Sequence, residues 1–176
     1  MDWPRVNLAL RGVGHTRWPA GRADPGGVWA RWVFDHDLWL VDAGRGWMHL
    51  RDGWHELTPG RALWLRPGWE YRAEQDPADP LGMYFCHFDL TDESGAVIPP
   101  DGFWLPPEDL GEADLSFATG VLSRAVAAAK GERWGGESFP AHKRDQVTGL
   151  LRGLLIELDE QSAARAQVTG ADAAEV

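Results

Sequence analysis

Residues 59–71, "PGRALWLRPGWEY", carry the pattern that decides the fold. Two Pro-Gly pairs enclose the short run "ALWLR", and a pair of this kind is a strong turn signal because proline presets the backbone and glycine tolerates left-handed geometry. A short apolar run between two tight turns is typical of a strand in a small all-β domain. The segment therefore predicts one short buried strand of a barrel or a sandwich.

The same spacing recurs through the first half of the chain. Short apolar runs alternate with Gly, Pro and Asp, and Asp52-Gly53 is typical of a two-residue hairpin turn. Seven strands are predicted, at 6–18, 28–34, 37–44, 46–50, 54–58, 62–66 and 81–90. This number of strands at this spacing favours a β-barrel or a sandwich.

From residue 108 the apolar period becomes helical. One helix is predicted with Asp114 as its N-cap, and a second helix begins near Pro140. The first has an apolar face of Leu115, Ala118, Val121, Leu122, Ala125, Val126 and Ala129, and the second has Val147, Leu150, Leu151, Leu154, Leu155 and Leu158. We therefore divide the chain into a barrel at 1–107, a two-helix element at 108–162, and a linker or disordered tail at 163–176.

Composition excludes several classes of function. The chain has 176 residues and a formal net charge of −10, which repels nucleic acid, so this chain by itself is a poor DNA binder. No apolar run is long enough for a membrane span and no signal peptide begins the sequence. Cys86 is the single cysteine, which fits a reducing cytoplasm. Eleven tryptophans suit both a core and a pocket for a ring-shaped ligand.

Several motifs together resemble a known family. "DLWLVDAGRG" (37–46), the "RDG" hairpin, "PGRALWLRPGWEY" and "MYFCHFDL" (83–90) resemble the motifs of the cupin barrel, and within it the effector-binding domain of AraC-type transcription regulators. The resemblance implies a mostly β fold, namely a cupin-like jelly-roll barrel followed by two α-helices that serve dimerisation. It also implies that DNA is bound by a C-terminal helix-turn-helix part absent from these residues.

Metal-binding cupins ligate their ion through His-x-His, a Glu and a later His. Here Asp37 stands at the Glu position, residues 30–33 ("ARWV") hold no histidine, and Tyr71 replaces the later histidine. A transition metal needs three or four converging ligands, so neither a metal nor another cofactor is predicted. A site rebuilt from the six histidines on other strands stays as the alternative.

Strand alternation predicts the lining of the barrel. If Asp37 faces inward, Trp39 and Val41 do too, and Met83, Phe85 and His87 share one face of their strand. Resemblance to a sugar-sensing member adds Arg31 and Thr16, and places a tyrosine near Tyr71. The predicted ligand-binding set is Thr16, Arg31, Asp37, Trp39, Tyr71, Met83, Phe85 and His87. A sugar-like or other neutral polar ring suits these aromatic faces and hydrogen-bonding groups.

Each of these side chains also has a structural explanation. Trp39 and Phe85 are core residues in the alternative reading, Arg31 pairs with Asp37 or another acid across strands, and Tyr71 is a core residue whose hydroxyl reaches water.

The leucine stripe of the second helix predicts a homodimer. Leu150, Leu151, Leu154, Leu155 and Leu158 exceed what contact with the barrel alone requires, and Gly149 and Gly153 permit close approach of another helix. The alternative is packing on the barrel and the first helix. The first ten residues form either an arm that covers the ligand or a frayed terminus.

These observations predict a small-molecule effector-sensing and dimerisation domain of an AraC-type regulator, present either as a fragment or as a free-standing sensor. It is not an enzyme in this interpretation. One alternative is a cupin enzyme such as a sugar isomerase or epimerase, which would use His87 with Tyr71 or Asp37 as acid and base. The other is a stand-alone carbohydrate-binding module.

Overall fold

A computed structural model describes residues 1–18, 28–102, 105–129 and 140–174. A single 3-10 turn at Trp3–Arg5 precedes the first strand. The strands are β1 (Val6–Arg17), β2 (Val28–Val33), β3 (His36–Ala43), β4 (Gly46–Leu50), β5 (Gly53–Leu57), β6 (Arg61–Leu65), β7 (Trp69–Gln75), β8 (Gly82–Asp92) and β9 (Asp109–Glu112). The helices are α1 (Leu115–Ala129) and α2 (Ala141–Ala174).

The strands form two antiparallel sheets. The five-stranded sheet has the order β1-β8-β3-β6-β9, and the four-stranded sheet has the order β2-β7-β4-β5. Neighbours within each sheet are mostly distant in sequence, as in a jelly roll, where the chain crosses repeatedly between two facing sheets. The predicted mostly β, jelly-roll barrel followed by two helices is confirmed.

The five-stranded sheet is covered on both faces, and β3 shows this best. Every residue from His36 to Val41 is buried, because Trp39 and Val41 face the second sheet while Leu38 and Leu40 face the helices. Two hydrophobic cores result, one inside the barrel and one between this sheet and the helix pair. A strand buried on both faces reads as a continuous apolar run, which explains "LWLV".

Two strands were not predicted. β7, "WEYRAEQ", has a charged outer face, and its inner face is built from Tyr71, Ala73 and Gln75. β9 pairs with β6 and lies beyond the predicted barrel boundary at residue 107, so the barrel extends to Glu112. β9 has four residues and one buried leucine, which is too short for a periodic signal.

Both helices begin where the sequence predicts. The carboxylate of Asp114 accepts a hydrogen bond from the backbone N–H of Phe117 at 3.0 Å, which caps α1. α2 begins at Ala141, immediately after Pro140. No described helix combines the length and the apolar character that crossing a bilayer requires.

The leucine stripe of α2 is buried inside the chain, which corrects its assignment as a dimer interface. Its inner leucines are at most 1% exposed, and Leu150 is partly buried against the same core. They pack on α1 and on the outer face of the five-stranded sheet. The outer face of this sheet, with Leu38, Leu40 and Phe88, is apolar and offers the stripe enough surface inside one chain. The corrected residues are Leu150, Leu151, Leu154, Leu155 and Leu158.

α2 also continues through the segment predicted as a linker or disordered tail. The helix reaches Ala174, which corrects the disordered reading for residues 163–174 and leaves the role of the segment as a linker a prediction. The segment is rich in alanine, the strongest helix former, so it needs no apolar stripe to extend an existing helix.

The N-terminal residues are neither a lid over the barrel nor frayed in this structure. The Trp3 side chain is 6% exposed, and its indole N–H donates to the Asp159 carboxylate at 2.8 Å. The Arg152 guanidinium donates to the carbonyl oxygens of Val6, at 2.6 Å, and of Trp3. The start of the chain is therefore held on α2.

Candidate functional site

A cavity of about 260 Å³ lies inside the barrel, between β1, β2, β3 and β8. It adjoins a second cavity of about 500 Å³, because the two share five lining residues: Trp29, Arg31, Asp37, Phe85 and His87. Sites for small organic ligands span roughly 300–1,000 Å³, so the second cavity falls within that range and the first just below it. The first cavity is lined by Thr16, Trp18, Trp29, Arg31, Asp37, Trp39, Met83, Phe85 and His87.

The pairing of β3 with β8 places several of these lining residues side by side. Asp37 lies opposite His87 and Trp39 lies opposite Phe85, and the next inward pair is Val41 and Met83. Alternate residues of a strand face the same side, so these pairs form two adjacent rows on the inner face of the sheet. The alternation predicted from the sequence places these side chains correctly.

Aromatic rings form the walls. The Trp29 and Trp39 rings meet edge to face with centroids 5.0 Å apart, and Trp18 approaches Trp39 in the same way at 6.4 Å. Edge-to-face packing holds indoles in fixed orientations. The Phe85 ring lies over Gly14, where a Cβ atom would be only 2.3 Å from the ring. The glycine therefore makes room for this wall.

Asp37 is a buried carboxyl that lines both cavities. It is 4% exposed, and its Oδ2 accepts a hydrogen bond from the Trp39 indole N–H at 2.7 Å. Its Oδ1 has no hydrogen-bond partner among the described residues. Burial raises the pKa of Asp37 from 3.8 to about 7, although His87 and the Trp39 hydrogen bond oppose the rise. The carboxyl therefore exchanges its proton near neutral pH.

His87 lies between two acids. Its Nδ1 is 2.9 Å from Asp35 Oδ1, within hydrogen-bond distance, whereas its Nε2 is 3.8 Å from Asp37 Oδ2, too far for a hydrogen bond. Burial lowers the pKa of His87, but the Asp35 hydrogen bond and the two carboxylate charges outweigh it and the pKa is raised overall. Nε2 is left without a hydrogen bond to Asp37, on a ring that lines the cavity.

Arg31 supplies a cation to both cavities. No hydrogen bond or ion pair joins it to the described residues, so the cross-strand pair with Asp37 that the sequence allowed is not formed in this structure. Its neighbour in the four-stranded sheet is Tyr71, on β7.

Comparison with known proteins fits this geometry. The family model described as the AraC-like ligand binding domain matches residues 30–113, which span the barrel from β2 to β9. This stretch is similar to the AraC-like ligand-binding family. All of the predicted ligand-binding residues except Thr16 lie within it. The description of this family model supports a role in binding a small-molecule effector.

A solved cupin protein from Bacteroides fragilis is also similar to the chain. The similarity covers 57% of this chain and 79% of that protein, with 16% sequence identity and a TM-score of 0.33. No curated protein matches the chain in sequence.

Tyr71 of the AraC-like domain lies away from the cavity, unlike the rest of the predicted set. Its hydroxyl donates to Glu108 Oε1 at 2.6 Å and accepts the backbone N–H of Arg66 at 2.9 Å. The side chain is 1% exposed, and burial with the Glu108 hydrogen bond raises its pKa. The hydroxyl thus reaches Glu108 and not water, and the side chain connects the barrel core to the segment before β9.

Three residues around the cavity were not predicted. Trp29 lies two positions before Arg31 on β2, so alternation from Arg31 would have found it. Trp18 follows the end of β1, and Asp35 lies in the turn between β2 and β3. Trp18 lies two positions after Thr16 in the predicted strand 6–18, so alternation from Thr16 would also have found it, whereas Asp35 lies in a turn and carries no periodic signal.

Among the described residues, no three or more His, Cys, Asp or Glu side chains are placed to hold a metal ion together. Nε2 of His87 is the ring nitrogen nearer to Asp37, and Nδ1 of His87 is already within hydrogen-bond distance of Asp35. The donor set suits proton exchange and hydrogen bonding better than chelation.

Proposed function

We propose that this AraC-like domain senses a small-molecule effector in the barrel cavity and thereby regulates transcription. One observation carries the proposal: seven of the eight residues predicted as ligand contacts line a single cavity. Aromatic walls with a few directed polar groups are the usual composition of a small-molecule site.

The effector we propose is a ring with polar substituents, sugar-like in shape. The indoles of Trp29 and Trp39 offer faces and edges that cover the apolar C–H surface of such a ring. Thr16, Asp37 and His87 supply donors and acceptors for its substituents. Met83 adds an apolar patch in the same lining.

The sensing domain acts as a homodimer in this proposal, with DNA bound by a helix-turn-helix part outside the described residues. Since the leucine stripe is internal, the dimer contact falls on the outer face of the helix pair. Phe117 on α1 is 47% exposed there, and no described atom outside the neighbouring helix backbone lies within 4 Å of a Cβ built at Gly149 or Gly153. The formal charge of −10 supports a separate DNA-binding part.

Ligand screening with matched variants tests the proposal. A thermal-shift screen of sugars and small acids should find a stabilising ligand, since a ligand of the folded state raises its stability. Phe85→Ala should abolish the shift, because it removes a wall of the cavity. Phe117→Ala, on the outer face of α1, should retain it. Equal loss of binding in both variants would contradict the assignment of the site.

The Asp35–His87 pair beside Asp37 favours a second candidate, a cupin enzyme such as an isomerase or epimerase. A histidine oriented by one carboxylate, near a second carboxyl whose pKa is about 7, can move protons at neutral pH. Incubation of the protein with ketoses and aldoses in deuterated water would show deuterium incorporation next to the carbonyl. His87→Gln should abolish it, and absence of exchange in the wild type removes this candidate.

A further inference from the structure

The charges around the cavity do not cancel. Arg11 at the outer end of the second cavity pairs with Asp89, and His87 pairs with Asp35. Arg31 lines both cavities and has no such partner among the described residues. A guanidinium stays protonated at every physiological pH, so this positive charge is permanent.

The remaining acid does not neutralise Arg31. Asp37 is 4% exposed and forms its described hydrogen bond with the Trp39 indole, not with the guanidinium. Its burial favours the protonated carboxyl, which carries no charge and can donate a hydrogen bond. Without a ligand, the cavity therefore contains a cation that the described part of the chain leaves unmatched.

We propose that the effector carries a carboxylate that binds Arg31 and a ring that lies against Trp29 and Phe85. The planar fork of a guanidinium matches the two oxygens of a carboxylate, a fit that a lysine or a hydroxyl does not offer. The inference rests on the proposed effector-sensing function and narrows its ligand from polar rings in general to ring-bearing acids.

A cationic ligand is the main competitor, because indole faces attract cations. Arg31 opposes that ligand directly, since it would place two positive charges in one small cavity. The overall charge of −10 does not reverse this, because charges more than about 8 Å away are largely screened at physiological salt. The local cation therefore decides the sign of the ligand.

The pH dependence of binding distinguishes the two signs of charge. Asp37 is faced by His87 from β8, by Arg31 from β2 and by Asp35 from the turn between β2 and β3. A bound carboxylate favours protonated Asp37, so affinity for an acid falls as pH rises through about 7. A cation favours ionised Asp37, and its affinity rises instead.

Paired probes test the proposal by calorimetry and tryptophan fluorescence. Benzoate is compared with benzyl alcohol, and galacturonate with galactose, so that each acid has a neutral partner with a similar ring. We expect at least one acid to bind about tenfold or more tightly than its partner, which is the range of a charge-assisted hydrogen bond. The pair in which the acid binds more tightly than its neutral partner shows whether the ring of the effector is aromatic or a sugar.

Variants locate the effect. Arg31→Gln should remove the preference for the acid, and Arg31→Lys should restore only part of it. Arg124→Gln, on the exposed face of α1, should leave the preference unchanged. Asp37→Asn should reduce the decline in affinity between about pH 6 and about pH 8, and the decline that remains belongs to His87, whose pKa is raised.

The outcomes separate this inference from the proposed function. If a neutral ring binds as tightly as its acid, and Phe85→Ala abolishes that binding, the carboxylate is refuted and effector sensing stands. Tighter binding of tetramethylammonium than of either acid also refutes the carboxylate. If none of these probes binds at millimolar concentration, the inference is overturned. The broad ligand screen then decides the proposed function separately.

Discussion

Replacing Asp37 by asparagine should stabilise the folded chain at neutral and alkaline pH. Burial raises the pKa of this carboxyl from 3.8 to about 7 in the folded chain. A raised carboxyl pKa means that the folded state holds its proton more tightly than the unfolded state does. Its stabilising contribution is complete below pH 3.8 and is lost progressively as pH rises to about 7.

The magnitude follows from the two pKa values. The interval from 3.8 to about 7, at about 1.36 kcal/mol for each pH unit, corresponds to about 4 kcal/mol lost above neutral pH. Asparagine cannot ionise, and its side-chain oxygen can still accept the Trp39 indole N–H. The variant should therefore match the wild type near pH 4 and exceed its free energy of unfolding by up to about 4 kcal/mol near pH 8.

Urea unfolding at a series of pH values, followed by tryptophan fluorescence, measures this difference. Asp89→Asn is the control, because Asp89 forms a surface pair with Arg11 on β1 and such pairs contribute about 1 kcal/mol or less. A difference between wild type and Asp37→Asn that stays constant from about pH 4 to about pH 8 would refute the reasoning. A stabilised variant that no longer responds to ligand would show that Asp37 serves the site at the expense of the fold.

Four further predictions concern the packing around the site. Gly14→Ala should displace the Phe85 ring, because its new Cβ would be 2.3 Å from that ring, and should weaken ligand binding measured by calorimetry. Burial lowers the pKa of His36 from 6.5 to about 4, so protonation between these values favours the unfolded chain. In urea unfolding, the wild type should therefore lose about 3 kcal/mol of unfolding free energy relative to His36→Gln between pH 7 and pH 4. Tyr71→Phe should cost about 1–3 kcal/mol of stability, because it leaves buried partners unpaired, while ligand affinity stays unchanged. Leu151→Ala should lower stability by about 2–5 kcal/mol with no change of mass in light scattering; a halved mass at full stability would restore the dimer assignment.

The sequence predicts the inner face of the barrel well because strand alternation is a local rule. Once Asp37 is placed inward, the direction of Trp39 follows, and the same rule orders Met83, Phe85 and His87 on β8. The same rule applied from Thr16 also reaches Trp18, two positions later in the predicted strand 6–18, whereas Asp35 lies in a turn, where no period relates one side chain to the next.

The positions of Tyr71 and of the α2 leucines depend on tertiary contacts, which strand and helix periodicity do not predict. The Tyr71 side chain does face inward, but which end of the interior it reaches depends on Glu108, whose sequence position is remote. The leucines predict a partner chain only if the outer face of the five-stranded sheet offers them too little apolar surface. That face is covered by the helices, a fact of tertiary packing that the pattern "LWLV" indicates but does not specify.

β3 has a cavity on one side and the helix pair on the other. Trp39 touches the interior where a guest would lie, and the adjacent residues Leu38 and Leu40 contact the core under α1 and α2. The sheet is one peptide layer thick. A movement of Trp39 on its inner face would therefore shift Leu38 and Leu40 against the helices, with no loop or hinge between them. β3 is therefore the shortest structural connection between the cavity and the helix pair.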